Sequence, residues 1–142
     1  MSTPDGPWPS HLPVSQVRIA RPTDRLDEVV AFYRDGLGLI EIWSFRGHAG
    51  YDGVMLGLPG VGYHLEFTRH ERGSPGEAPS KDNLLVLYLA EPGAVETVAA
   101  RLESRGHRIV EPENPYWKEN SITFEDPDGW RVVLVRGAGF TD

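Results

Sequence analysis

The chain has no cysteine among its 142 residues, which excludes a disulfide framework and a thiolate metal site. It also lacks any apolar run near membrane-spanning length, and no basic-then-apolar leader opens it. Positive charge is in deficit. Fourteen Lys and Arg stand against 21 Asp and Glu, a formal net charge of −7. Phosphate backbones call for a positive surface, so nucleic acid is not an expected partner. A neutral or cationic ligand is compatible with this balance. The absences together lead us to expect a cytoplasmic protein with neither a nucleic-acid nor a membrane partner.

What remains is a globular composition, 39% hydrophobic and 25% charged, at the length of one domain. Sixteen glycines and twelve prolines imply short strands and many turns. Residues 1–13, rich in Pro, Ser and Gly, read as a flexible tail whose one packing handle is Trp8. Residues 14–20 read as a strand. Thr23 or Asp24 then offers a helix N-cap. Leu26, Val29, Val30 and Tyr33 follow at i, i+3, i+4, i+7, one apolar stripe, and Gly36 and Gly38 supply the stop. Residues 39–45, 51–58 and 62–70 read as three strands.

Residues 71–82 form a polar linker, after which the order repeats. Residues 83–90 read as a strand. Val95, Val98, Ala99 and Leu102 repeat the helical stripe, and Gly106 ends it. Residues 107–111 read as a strand and 114–120 as a loop. Residues 121–125 and 130–136 form a hairpin across Asp126-Pro127-Asp128-Gly129. The pattern βαβββ therefore occurs twice, over 14–70 and 83–142, within one domain.

Two motifs carry a resemblance. Ala31-Phe32-Tyr33-Arg34-Asp35-Gly36-Leu37-Gly38-Leu39 resembles the helix end of the vicinal oxygen chelate superfamily, the glyoxalase, bleomycin-resistance and extradiol-dioxygenase group. Phe124-Glu125-Asp126-Pro127-Asp128-Gly129-Trp130-Arg131 resembles its final hairpin. The resemblance covers residues 14–136. It implies an α+β fold in which two βαβββ modules form a cupped, eight-stranded mixed sheet. The helices lie outside, the ligand inside, and many relatives are homodimers.

Strand alternation assigns two faces. Val17, Ile19, Tyr63, Leu65, Phe67, Leu85, Leu87, Leu89, Val132 and Leu134 form an apolar face for the helices. Arg18, Ala20, His64, Glu66, Leu84, Val86, Tyr88, Arg131, Val133 and Val135 form the other, a mixed wall suited to a pocket or simply to water. The resemblance implies metal ligands at Arg18, Glu66, Leu84 and Val133. Of these only Glu66 has a suitable donor, and arginine repels a cation. His64 adds a second donor on that face. A third requires His48 or Asp52 to swing in. No resident metal or other cofactor is therefore expected, a divalent metal being the alternative.

Glu66 needs a counter-charge, which Arg18 or Arg131 supplies. The pair reads as a structural ion pair, as an anchor for a polar ligand group, or as part of a His64/Glu66 acid–base couple. Trp43, Phe45, Tyr51, Tyr116, Trp117 and Trp130 form an aromatic set. Tyr116 and Trp117, on a loop, read as a lid or stacking wall, or as cover for a sheet end or dimer contact. Tyr51 and Asp52 read as a turn or a pocket rim, and His11, His70 and His107 as surface residues.

Binding of a small organic molecule without chemistry, as in drug sequestration, is favoured, with Arg18, Trp43, Tyr51, His64, Glu66, Tyr88, Tyr116, Trp117 and Arg131 as candidate ligand contacts. The alternative is a lyase, isomerase or hydrolase using His64 and Glu66, metal-free or with an unusual divalent metal. An accessory domain with a vestigial pocket is the third reading.

Overall fold

The computed structural model describes residues 6–140. The first five residues of the expected tail lie outside it. Trp8, which was expected to dock, is 66% exposed, and its indole N–H donates at 2.6 Å to the Leu12 carbonyl of its own turn.

The first module holds β1 (Val17–Pro22), α1 (Leu26–Val30), β2 (Ile40–His48), β3 (Tyr51–Gly57) and β4 (Tyr63–His70). Its sheet order is β1-β4-β3-β2, with β1 parallel to β4 and the other pairs antiparallel. The expected cap is local rather than helical. Thr23 Oγ1 accepts from the Arg25 N–H at 2.9 Å, while Asp24 accepts from the Ser74 N–H in the linker. Past Val30 the helix widens into a π-helical turn, Ala31–Gly36, closed by the Leu37 N–H donating to the Phe32 carbonyl. The wider winding brings Phe32 as well as Tyr33 into the core, both fully buried, where a 3.6-residue period gave only Tyr33.

The second module holds β5 (Leu84–Leu89), α2 (Ala94–Ser104), a 3-10 turn (Pro115–Lys118), β6 (Ser121–Glu125) and β7 (Arg131–Arg136), in sheet order β5-β7-β6. The strand expected over 107–111 shrinks to one bridge, Ile109 to Phe124. Pro112 and Pro115 follow closely, and proline cannot donate to a ladder. The described residues thus form two sheets, of four and three strands, rather than one of eight. The duplicated α+β plan stands.

One apolar core joins the halves, with Leu26, Val29, Phe32, Tyr33, Leu65 and Phe67 from the first and Val95, Leu102, Phe124, Val132 and Leu134 from the second. Polar ties reinforce it. Arg101 donates to the Gly36 and Leu37 carbonyls at 2.8 and 2.7 Å, and Tyr33 Oη donates to Asp126 at 2.8 Å. A Cβ at Gly38, where φ is +95°, would come within 2.3 Å of the Arg101 guanidinium, so glycine is needed for both backbone and space. His107 is not a free surface residue. It packs edge-on against Phe32 at 4.8 Å, and burial, then the Arg105 charge, lowers its pKa.

Candidate functional site

Strand register fixes what lies on the side of the first sheet turned away from the helices. Residues opposite one another across strands share a face. Three rows result. Arg18, His64, Gly57 and Ile40 form one. Ala20, Glu66, Met55 and Trp43 form the next. Pro22, Thr68, Gly53 and Phe45 form the third. An irregularity between Glu41 and Trp43 turns two consecutive side chains to this face, and the Ile42 tip lies where a Gly57 Cβ would project. Phe45 similarly covers Gly53. Exposed Ile42 and Trp43 thus make an apolar wall along β2, and the glycines leave room for Ile42 and Phe45 to lie against the sheet.

Opposite that wall is a polar corner. Arg18 Nε donates to His64 Nε2 at 2.8 Å, one Arg18 amino group lies 3.9 Å from Glu66, and the other donates to Met55 Sδ at 3.4 Å. Accepting at Nε2 places the imidazole proton on Nδ1, which is buried without a hydrogen-bond partner. His64 is 5% exposed, the Glu66 side chain 13% and the Arg18 side chain 47%. The positive member of the cluster is therefore the one that water, or a ligand, meets.

The equivalent side of the second sheet is filled. Arg131 is 5% exposed, donating to Glu125 at 3.0 Å and to the Glu111 carbonyl at 2.9 Å. Val133 and Thr123 beside it are buried. Tyr88, Tyr116, Trp117 and Val135 line a separate cavity of about 480 Å³, with Tyr116 and Trp117 edge-to-face at 4.9 Å. A larger apolar groove, about 530 Å³, runs along β5 between Leu85, Leu87 and Leu89 and the β3–β4 turn. Tyr63, expected under the helices, lines this groove and is half exposed.

The candidate residues thus fall into groups. Arg18, His64, Glu66 and Trp43 share the first sheet's open face. Tyr88, Tyr116 and Trp117 share a cavity on the second module. Arg131 is locked apart from both. Tyr51 packs edge-on to His70 at 4.7 Å at the far end of β3. Met55, Ile42, Gly53 and Gly57 were not singled out, while Phe45 belonged to the aromatic set. The alternation of Gly53, Met55 and Gly57 was a visible signal, since glycine within a strand marks a close approach.

The donors present do not fit a divalent ion. No group of three possible ligands occurs among the described residues. His64 Nε2 already accepts from a guanidinium, which sits beside Glu66 as the local cation. Neither proposed third donor reaches. Asp52 lies on the helix side, accepting from the Gly47 N–H and then from Arg69, which hold its carboxyl below the usual range. His48 lies edge-on to Phe45 at the end of β2.

A different buried group ties the modules. Asp126 accepts from Tyr33 Oη and from the backbone N–H groups of Asp128 and Trp130. Burial nevertheless raises its pKa, and burial, then the Asp126 charge, raises that of Tyr33.

Paired strand–helix–strand modules, each with its own sheet, define the glyoxalase-type vicinal oxygen chelate fold, and comparison with known proteins places the chain in it. The antibiotic-binding protein TnmS3 from Streptomyces sp. CB03234 superposes with TM-score 0.62 at 22% identity, over 90% of this chain and all of that one. The fosfomycin resistance protein FosX from Mesorhizobium loti gives 0.61 at 14%, over 89% and 93%. These likenesses show the fold. The chain belongs to the YycE-like family: the model of its N-terminal domain matches residues 17–68 and that of its C-terminal domain residues 82–136. The uncharacterized protein YycE of Bacillus subtilis is 50% identical over 134 residues, covering 93% of this chain and 95% of that protein. The crystal structure of a Bacillus subtilis YycE protein of unknown function superposes with TM-score 0.87 at 47% identity, over 93% and 96%. No helix of the described residues is long and apolar enough to cross a membrane.

Proposed function

We propose that this protein binds a small organic molecule on the open face of its first sheet, without a resident metal and without chemistry on the bound molecule. One observation carries the reading: Arg18, at a position where the resemblance implied a metal ligand, directs its guanidinium at the lone pair of His64. Both imidazole nitrogens are thereby withdrawn from acid–base work, since Nε2 is engaged and Nδ1 is buried. Relatives by fold include an antibiotic-binding protein, which supports sequestration as the physiological form of binding.

The reading includes a second copy of the chain as cover. Ile40, Ile42 and Trp43 on edge strand β2 are 69%, 54% and 62% exposed, a large apolar surface for a monomer. Light scattering after size exclusion is expected to give a dimer mass.

The test of binding is a thermal-shift series on untagged protein after EDTA treatment. Zinc, manganese, nickel and magnesium are expected to leave the melting temperature unchanged, while fosfomycin, bleomycin or naphthoate raises it. A ligand at a hundred times its Kd adds about 2.7 kcal/mol. Stabilisation by a stoichiometric metal ion, lost in Glu66→Gln, would overturn the metal-free reading. A turnover abolished by both His64→Ala and Glu66→Gln in folded protein would replace binding with catalysis.

A further inference from the structure

We infer that the site on the first sheet is built for an amphipathic anion: a carboxylate or similar oxyanion held by Arg18, with a flat apolar body laid against Trp43 and Ile42. This rests on the binding reading above and specifies the class of ligand. The chain's net charge of −7 pointed the other way, towards a neutral or cationic ligand, so the local arrangement decides.

Three features carry it. The first is which charge is presented. Within the Arg18–Glu66 pair the carboxylate side chain is 13% exposed and the guanidinium 47%. The 3.9 Å separation is an ion contact rather than a hydrogen bond, so the pair does not use up the guanidinium donors. Of five guanidinium N–H groups, those on Nε and one amino group are engaged, by His64 Nε2 and Met55 Sδ. The rest stay open among the described residues, in the planar fork that matches an oxyanion.

The second feature is preorganisation. Nε is fixed by a histidine that is itself buried, and the head is steadied over Glu66 and Met55. An anion therefore meets a guanidinium already oriented, which lowers the ordering cost of binding.

The third is distance. Arg18 starts on β1, yet its head reaches Met55 on β3, having crossed over β4. Trp43 is the direct cross-strand neighbour of Met55, about 5 Å away by strand spacing. Cation and indole thus flank one shallow strip. Ile42 packs over Gly57 and Phe45 over Gly53, so these two side chains bound the strip on either side of Met55. A ring bearing a carboxylate fits that strip, with its anion on Arg18 and its face on Trp43.

The experiment is calorimetric titration of the full chain with naphthoate, naphthylmethanol and naphthylmethylammonium, which share one ring system and differ in charge. Naphthoate is expected to bind at least about tenfold more tightly than the other two, and more weakly as salt rises. Arg18→Ala is expected to lower naphthoate affinity about ten- to a hundredfold, Arg18→Lys less, and Arg136→Ala, remote from the strip, not at all. Trp43→Ala is expected to weaken all binders alike. Equal or tighter binding of the ammonium, or naphthoate affinity unchanged in Arg18→Ala, overturns the anion assignment and leaves small-molecule binding standing. Failure of all three probes to bind the wild-type chain at millimolar concentration overturns the assignment and the binding site together.

Discussion

Arg18 and Arg131 both project from the side of a β-sheet that faces away from the helices, yet one side chain is 47% exposed and the other 5%. The difference lies in what the chain does next to each sheet. In the first module a full strand, β2, completes the ladder and leaves the face open. In the second the corresponding stretch pairs at Ile109 alone, and the Glu111 carbonyl turns onto Arg131. A buried guanidinium needs several acceptors, and Arg131 finds a carboxylate and a carbonyl. One sheet presents a cation to the outside. The other uses its cation to hold a loop.

That contrast can be broken in several ways. Phe32→Ala, which empties the shared core beneath both sheets, is expected to cost about 3–5 kcal/mol. Urea unfolding followed by tryptophan fluorescence should remain a single transition, because Trp43 and Trp130 sit on the two modules that one core joins. Two separated transitions would show that the modules stand independently. Arg131→Ala leaves the Glu111 carbonyl and Glu125 without their donor and is expected to cost about 1–3 kcal/mol. Arg18→Ala is expected to cost under about 1 kcal/mol, since that pair is long and half in water. Equal losses at the two positions would erase the distinction between structural and presented arginine.

The Asp126 tie gives a smaller, pH-dependent effect. Burial raises its carboxyl above the unfolded value of about 3.9. Through the interval between the two values the folded state binds more protons than the unfolded state. The stability from this group is therefore present below the unfolded value and lost as pH rises through the folded one. Asp126→Asn, which keeps an oxygen for the Asp128 and Trp130 N–H groups, is expected to flatten the slope of unfolding free energy above pH ~4. Denaturation midpoints measured across pH for both forms read this directly. Trp8→Ala, at the small end, is expected to change stability by no more than about 0.5 kcal/mol. A larger change would mean that the tail docks on the domain.

Much of the candidate site was legible in strand alternation. Period two placed Arg18, His64 and Glu66 on one face and Leu65 and Phe67 on the other, and the structure keeps that division. The position of Trp43 was legible only in part. Its face depends on the irregularity before it, which shifts the register and which composition does not mark. The fate of Arg131 was hidden for another reason: its carbonyl acceptor belongs to a residue 20 positions away, on a loop.

By itself, the amino-acid sequence determined the duplicated module, the apolar stripes and the sidedness of the strands, because these follow from periods set within a few residues. The tertiary structure alone decided that the two sheets stay separate, that a π-helical turn brings Phe32 inward, and that one arginine is sealed while another stays half exposed. Those outcomes depend on which distant backbone and side-chain groups arrive to satisfy a buried charge or fill a gap, and local pattern carries no record of such meetings.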